Sequence, residues 1–126
     1  MKSIERQHQI AVVQYLQMLE KTKMIETFFC VPNGGSRNKI EASNLKKEGV
    51  RSGVSDLIVI FKEKVLFLEM KQPKKVLKSG KLSNASSKQS PSQIEFMNSV
   101  TNSNVCIYDV GYGFAGAKIV IDKYIK

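Results

Sequence analysis

Three residues of this chain have types and a spacing that could do chemistry together: Asp56, Glu69 and Lys71. Asp56 precedes the apolar run Leu57 to Phe61, and Glu69 and Lys71 close a second run that begins at Val65, with Lys62-Glu63-Lys64 between the two. Two apolar runs about a short charged turn read as a hairpin of buried strands. In that pairing Asp56 falls opposite a residue between Glu69 and Lys71, and opposed residues lie about 5 Å apart at Cβ. Alternation puts Glu69 and Lys71 on one face and Met70 on the other. Two carboxylates and an amine thus converge at one end of a buried hairpin, where charge is costly unless paired or metal-bound. Mg²⁺ is commonly held by one or two carboxylates together with substrate phosphate. On that reading Asp56 and Glu69 are the metal ligands, with a main-chain carbonyl such as that of Met70 beside them. Lys71 then orients or deprotonates the attacking water and stabilises charge on a phosphorane. A plainer arrangement uses the same residues: a Glu69–Lys71 ion pair at a fraying strand end, with Asp56 in a turn. Spacing alone leaves both open.

The elements that would position these groups can be read along the chain. Ile4, Ala11, Val12, Tyr15, Leu16 and Leu19 fall on one side of a helix over 3–21, with Ser3 as N-cap. Glu5 and His8 project within that arc. Glu5 is either a first-turn acid favoured by the helix dipole or a carboxylate reaching a site beneath the helix; His8, alone, reads as structural or surface. Ile25 to Val31 is a strand stopped by Pro32-Asn33-Gly34-Gly35, and the lack of a G-x-x-x-x-G-K-S/T pattern argues against a nucleotide P-loop. That loop offers Asn33, Ser36 and Arg37 to a backbone phosphate. Asn38 to Glu48 reads as a polar helix with Ile40 and Leu45 inward and Gly49 at C′.

Gln72 to Gln89 reads as a long basic loop. Ser90-Pro91-Ser92-Gln93 then signals a helix start with a cap, a first-turn proline and a capping-box glutamine, and Ile94, Met97 and Val100 form the inner face. A strand at 105–110 and a closing helix at 113–125 follow. The β-branched Ile119, Val120 and Ile121 leave a strand open for that last segment.

Composition bounds the partners. The chain has 126 residues, 42% of them hydrophobic, enough for one domain (1–126) around one core. No apolar run approaches the roughly 20 residues needed to cross a bilayer, and the N-terminus lacks a signal-peptide core; a soluble, cytoplasmic protein without a membrane partner is expected. Cys30 and Cys106 lie in apolar runs, not at metal-like spacing, and read as buried, reduced thiols. A net charge of +9 favours polyanions, and Lys71, Lys74, Lys75, Lys78, Lys81 and Lys88 crowd into one stretch. Lysines so concentrated suit contact with nucleic-acid phosphates.

Taken in order, Glu5, Pro32-Asn33-Gly34-Gly35, Leu45 to Asp56 (L-K-K-E-G-V-R-S-G-V-S-D), Phe67-Leu68-Glu69-Met70-Lys71 and Ser90-Pro91-Ser92-Gln93 resemble a VRR-NUC domain, of the PD-(D/E)xK nuclease superfamily, over about residues 3 to 110. The resemblance implies an α/β fold, a restriction-endonuclease-like core with a mixed β-sheet flanked by α-helices. It also implies phosphodiester hydrolysis dependent on Mg²⁺ or Mn²⁺. Stand-alone members, typically from phages and bacteria, are similar to homodimeric resolvases of branched DNA such as four-way Holliday junctions, so a homodimer in a bacterial or phage-infected cell is implied. By position, Asp56 and Glu69 match the metal-binding acids, Met70 the residue lending a carbonyl, Lys71 the lysine of E-x-K, Glu5 the first-helix acid, and Gln93 the glutamine supporting the site. Ser55 stands where the family commonly has proline, and the insert carrying Lys74, Lys75, Lys78 and Lys81 is long. The expected activity is a structure-selective DNA endonuclease. The alternatives are a nucleic-acid-binding module without catalysis, or a nuclease on linear duplex DNA or RNA with no branch preference.

Overall fold

Alternation along the central hairpin decides the architecture. In the computed structural model, which describes residues 3–32, 39–81 and 89–125, the elements run α1 (Ser3–Lys21), β1 (Thr27–Cys30), α2 (Lys39–Lys47), β2 (Leu57–Ile60), β3 (Val65–Lys71), α3 (Pro91–Val100), β4 (Cys106–Tyr112) and α4 (Gly113–Tyr124). The strands form one mixed sheet in the order β1-β2-β3-β4. β1 and β3 pair antiparallel with β2, and β4 runs parallel to β3 after the α3 crossover. This is the α/β arrangement expected, and the last segment is a helix, α4.

Leu57 and Val59 face Leu68 and Leu66 across the hairpin, and all four are fully buried. With Met70 they meet Val12, Leu16 and Leu19 of α1 and Ala117, Val120 and Ile121 of α4 in one apolar cluster. Each fully buried leucine contributes about 1.5–3 kcal/mol of transfer free energy. The opposite face carries Ile58, Phe67, Glu69 and Lys71 and is covered by α3, whose Phe96 ring lies edge-on to Phe67 at 5.4 Å and to Tyr108 at 6.4 Å.

Several side chains do not sit where the pattern placed them. Ile4 is 51% exposed, and the buried stripe of α1 is Gln9, Val12, Leu16 and Leu19. At about 100° per residue that stripe centres on the direction of Glu5 and turns away from Ile4. The wider arc arises because Tyr15 packs sideways on Phe114 of α4. Ile40 is 76% exposed and Leu45 only half-buried, because α2 packs against no other helix or strand among the described residues. Its C-terminus is still closed as expected: Gly49 has φ +105°, its N–H reaches Lys46 O at 3.1 Å, and Val50 N–H reaches Leu45 O at 2.9 Å.

On α3 the buried residue is Phe96, while Ile94 is 42% exposed. The packed stripe therefore runs Gln93–Phe96–Val100, rotated from the purely aliphatic one because Gln93 turns to the site. Cys30 and Cys106 are free thiols, as expected, but Cys30 is exposed and Cys106 half-buried. Each lies on an edge strand, where one flank has no neighbouring strand among the described residues.

Candidate active site

The register of β2 and β3 pairs Leu57 with Leu68, so one step further Asp56 stands opposite Glu69. Two backbone contacts hold Asp56 there. Its carbonyl accepts the Val31 N–H at 2.9 Å, extending the β1–β2 ladder, and its Oδ2 accepts the Met70 N–H at 2.8 Å. Glu69 is 4% exposed and its Oε1 has no hydrogen-bond partner among the described residues. Burial pushes the Glu69 carboxyl up to about 9, and the charge of Asp56 adds to the rise while Lys71 opposes it. The side chain of Met70 is buried on the other face, as alternation required.

Lys71 is also buried, and its Nζ donates to Gln93 Oε1 at 3.2 Å. The same oxygen accepts the Ser90 N–H at 2.8 Å, and Gln93 N–H donates to Ser90 Oγ at 3.3 Å. The predicted capping box is present, and its glutamine also holds the site lysine. Glu5, Asp56, Glu69, Lys71 and Gln93 all line one cleft of ≈ 920 Å³. Glu5 acts on Glu69 through charge. No three carboxylate, imidazole or thiol side chains cluster as a metal-holding group among the described residues, so Asp56 and Glu69 stand as a pair and Glu5 as a third acid on the wall.

The fit to a divalent cation can be judged from Glu69. A buried carboxylate with a partnerless oxygen, facing a second carboxylate, is an arrangement that a cation relieves. The donor set suits a hard ion: Asp56 and Glu69 oxygens, with the Met70 carbonyl as the main-chain candidate. The ion-pair alternative fares less well, since the amine of Lys71 is held by Gln93 and the two acids crowd each other.

Other predicted contacts divide. Lys74 stands with its Nζ 4.7 Å from the Tyr112 ring centroid, beside the site end of β3, because Lys71 and Tyr112 are partners in register. Lys75, Lys78 and Lys81 are exposed on the segment that leaves β3, which doubles back through a turn from Leu77 to Lys81. Asn33, Ser36 and Arg37 lie outside the described residues. His8 serves structure: its Nδ1 accepts the Phe114 N–H at 2.8 Å, satisfying the first turn of α4 from a neighbouring helix.

Three residues at or near the site were given no individual role by the sequence: Arg51 and Gly53, inside the block that ends at Asp56, and Tyr108. Arg51 lies on the cleft rim, 5.6 Å from the Phe96 ring centroid and 3.9 Å from Glu95. Its place in the Leu45–Asp56 block was the signal for it. Gly53 has φ +82°, and a Cβ there would meet the Ser92 carbonyl oxygen at 2.2 Å, so the turn before Asp56 is pressed onto the start of α3. Tyr108 stands next to Phe67 in the β3–β4 register: burial pushes its hydroxyl up to about 12, and the charges of Glu69 and Asp56 add to the rise. Nothing in sequence ties Tyr108 to Asp56 until β4 is known to pair with β3.

Among solved structures, one described as a VRR_NUC domain protein matches with a TM-score of 0.70, covering 99% of this chain and 90% of its own at 21% identity. The chain has the VRR_NUC fold. No family model and no curated protein matches the sequence, so the likeness is carried by architecture. Within the VRR_NUC fold described here, the residues that carried the resemblance, Glu5, Asp56, Glu69, Lys71 and Gln93, come from α1, the turn before β2, β3 and α3, and converge on one cleft. No described helix is long and apolar enough to cross a membrane.

Proposed function

We propose that this protein is a divalent-metal-dependent DNA endonuclease. The observation that carries the reading is the buried pair Asp56 and Glu69, one carboxylate oxygen left without a partner, next to a lysine fixed by Gln93. Asp56, Glu69 and the Met70 carbonyl would hold Mg²⁺ or Mn²⁺. The chemistry such an ion supplies when bound is polarisation of a phosphoryl oxygen and relief of the charge that develops on it.

The chain's own groups do the rest. Lys71, restrained by Gln93, presents its amine to an attacking water and to the developing phosphorane charge. Glu5 supplies a further acid on the cleft wall. Arg51, Lys74, Lys75, Lys78 and Lys81 supply phosphate contacts that position the backbone without reading sequence. The resemblance of the motif blocks supports branched DNA as the preferred substrate, cut by a homodimer whose two sites meet two strands.

The purified protein is expected to cleave a four-way junction faster than a linear duplex or an RNA hairpin in Mg²⁺ or Mn²⁺. Asp56→Ala and Glu69→Ala are expected to abolish cleavage while keeping salt-dependent DNA binding. Binding by the wild type without cleavage of any of the three substrates would reduce the protein to a binding module.

A further inference from the structure

Just beyond the site end of β3 the chain carries an apolar pair in the open, Val76 at 71% and Leu77 at 49% exposure. The root of this segment is fixed. Pro73 packs on the start of α4, where a Cβ on Gly113 would meet Pro73 Cβ at 2.9 Å, and Lys74 Nζ stands 4.7 Å from the Tyr112 ring centroid. The tip is folded as well: Leu77 N–H donates to Lys81 O at 2.7 Å, Gly80 N–H donates to Leu77 O at 2.9 Å, and Gly80 supplies the φ of +83° that the reversal needs. An extended chain spans at most about 3.5 Å per residue, so Leu77 stands no more than about 20 Å from Lys71. Lys74, Lys75, Lys78 and Lys81 flank the pair, and no acidic residue occurs between Glu69 and Glu95.

The two halves of that composition select a partner together. Lysines without acids suit a polyanion, whereas exposed Val and Leu side chains gain only by leaving water. The outside of a regular duplex offers phosphates and keeps its base faces stacked away. A branch point offers phosphates beside base faces that can be parted, and apolar side chains serve as wedges between base steps. We propose that Lys74 to Lys81 is a wedge for branched DNA: its lysines hold the phosphates on either side while Val76 and Leu77 cover a base unstacked at the branch. The proposal rests on the nuclease reading of the adjacent cleft and names the element that would choose its substrate. The fixed root sets the distance from the branch to Lys71.

The wedge is read in the ratio of four-way-junction to linear-duplex affinity, measured on metal-free protein in EDTA so that no cleavage is needed. Val76→Ser combined with Leu77→Ser is expected to lower that ratio by about 10-fold or more, the worth of one apolar side chain kept out of water. Both side chains are exposed, so the melting temperature should hold. Lys78→Ala and Lys81→Ala are expected to weaken both substrates alike and to flatten the salt dependence. Ile119→Ser, which changes an exposed apolar residue of α4, should leave the ratio at its wild-type value. With 2-aminopurine at the branch, the wild type should raise the fluorescence by unstacking it, and the double variant should not. An unchanged ratio in the double variant, or equal weakening of junction and duplex, would overturn the wedge. Self-association or binding to phosphatidylserine vesicles, lost in the double variant while the ratio holds, would also overturn it and assign the pair to that partner. If the ratio falls as expected but the wild type cleaves nothing, the nuclease reading fails and the wedge stands. If the wild type cleaves junctions and the double variant keeps the ratio, only the wedge fails.

Discussion

Along β3, Leu66, Leu68 and Met70 enter the layer of α1 and α4, while Phe67, Glu69 and Lys71 alternate with them on the face beneath α3. The first set is buried among aliphatic side chains and the second places two charged groups at almost the same depth, Glu69 at 4% and Lys71 at 9% exposure. Equal burial has opposite consequences for the two faces. Removing water from Leu68 is favourable, whereas removing it from Glu69 raises the energy of its charged form. The apolar face holds the strand in register, and that register keeps Asp56 and Glu69 opposed although ionising both would set like charges face to face.

The largest effect separates stability from chemistry. Leu68→Ala empties volume in the fully packed face and should cost about 2–5 kcal/mol in chemical denaturation. Cleavage per folded molecule at low temperature should persist, because no site group has changed. Loss of turnover in a well-folded Leu68→Ala protein would mean that the two faces are coupled through the strand.

The polar face should respond in the opposite sense. The Glu69 carboxyl is raised above its ordinary 4.5 to about 9. The native state therefore holds that proton more tightly than the unfolded chain does. The stability it contributes is fully present below the ordinary value and is lost as pH rises through about 9. Metal-free protein should become less stable across that window, by up to about 1.4 kcal/mol per pH unit for one proton. Glu69→Gln should flatten the decline and raise the melting temperature at pH 8 while abolishing cleavage. A wild-type stability curve flat from pH 5 to 9 would mean that the charged carboxylate is compensated by a partner outside the described residues.

How much of this was legible in the sequence follows from range. The hairpin and the convergence of Asp56, Glu69 and Lys71 are consequences of period-two alternation and a short turn, which leave the partner of Asp56 open between Glu69 and Lys71 until the register is known. So is the capping box at Ser90 and Gln93, which needs only four adjacent residues. What could not be read is what packs on what. Ile40 and Ile94 sit at inward positions of their own helices, but α2 has no partner element among the described residues and α3 turns Phe96 to the sheet. Cys30 and Cys106 look buried in runs of apolar residues until the strand order places both on edges. Tyr108 and Arg51 reach the site only through the parallel pairing of β4 and the approach of Gly53 to Ser92, which no local pattern encodes.

The smallest effect tests whether one side chain belongs to both faces of the comparison. Gln93 Oε1 serves fold and site at once, accepting from Ser90 N–H to complete the cap and from Lys71 Nζ to fix the lysine. Ser90→Ala removes the hydroxyl half of the cap, and Gln93→Ala removes the amide half, so each should cost about 0.5–2 kcal/mol in stability. Only Gln93→Ala also releases Lys71. Its kcat should fall about 10- to 100-fold, the scale for a lost supporting contact, and Ser90→Ala should stay near wild type. Equal losses of turnover in the two variants would assign the effect to a displaced α3 and leave Gln93 a capping residue alone. A loss confined to Gln93→Ala would show that the glutamine which starts α3 also holds the lysine in place, so that helix start and catalytic geometry rest on the same oxygen.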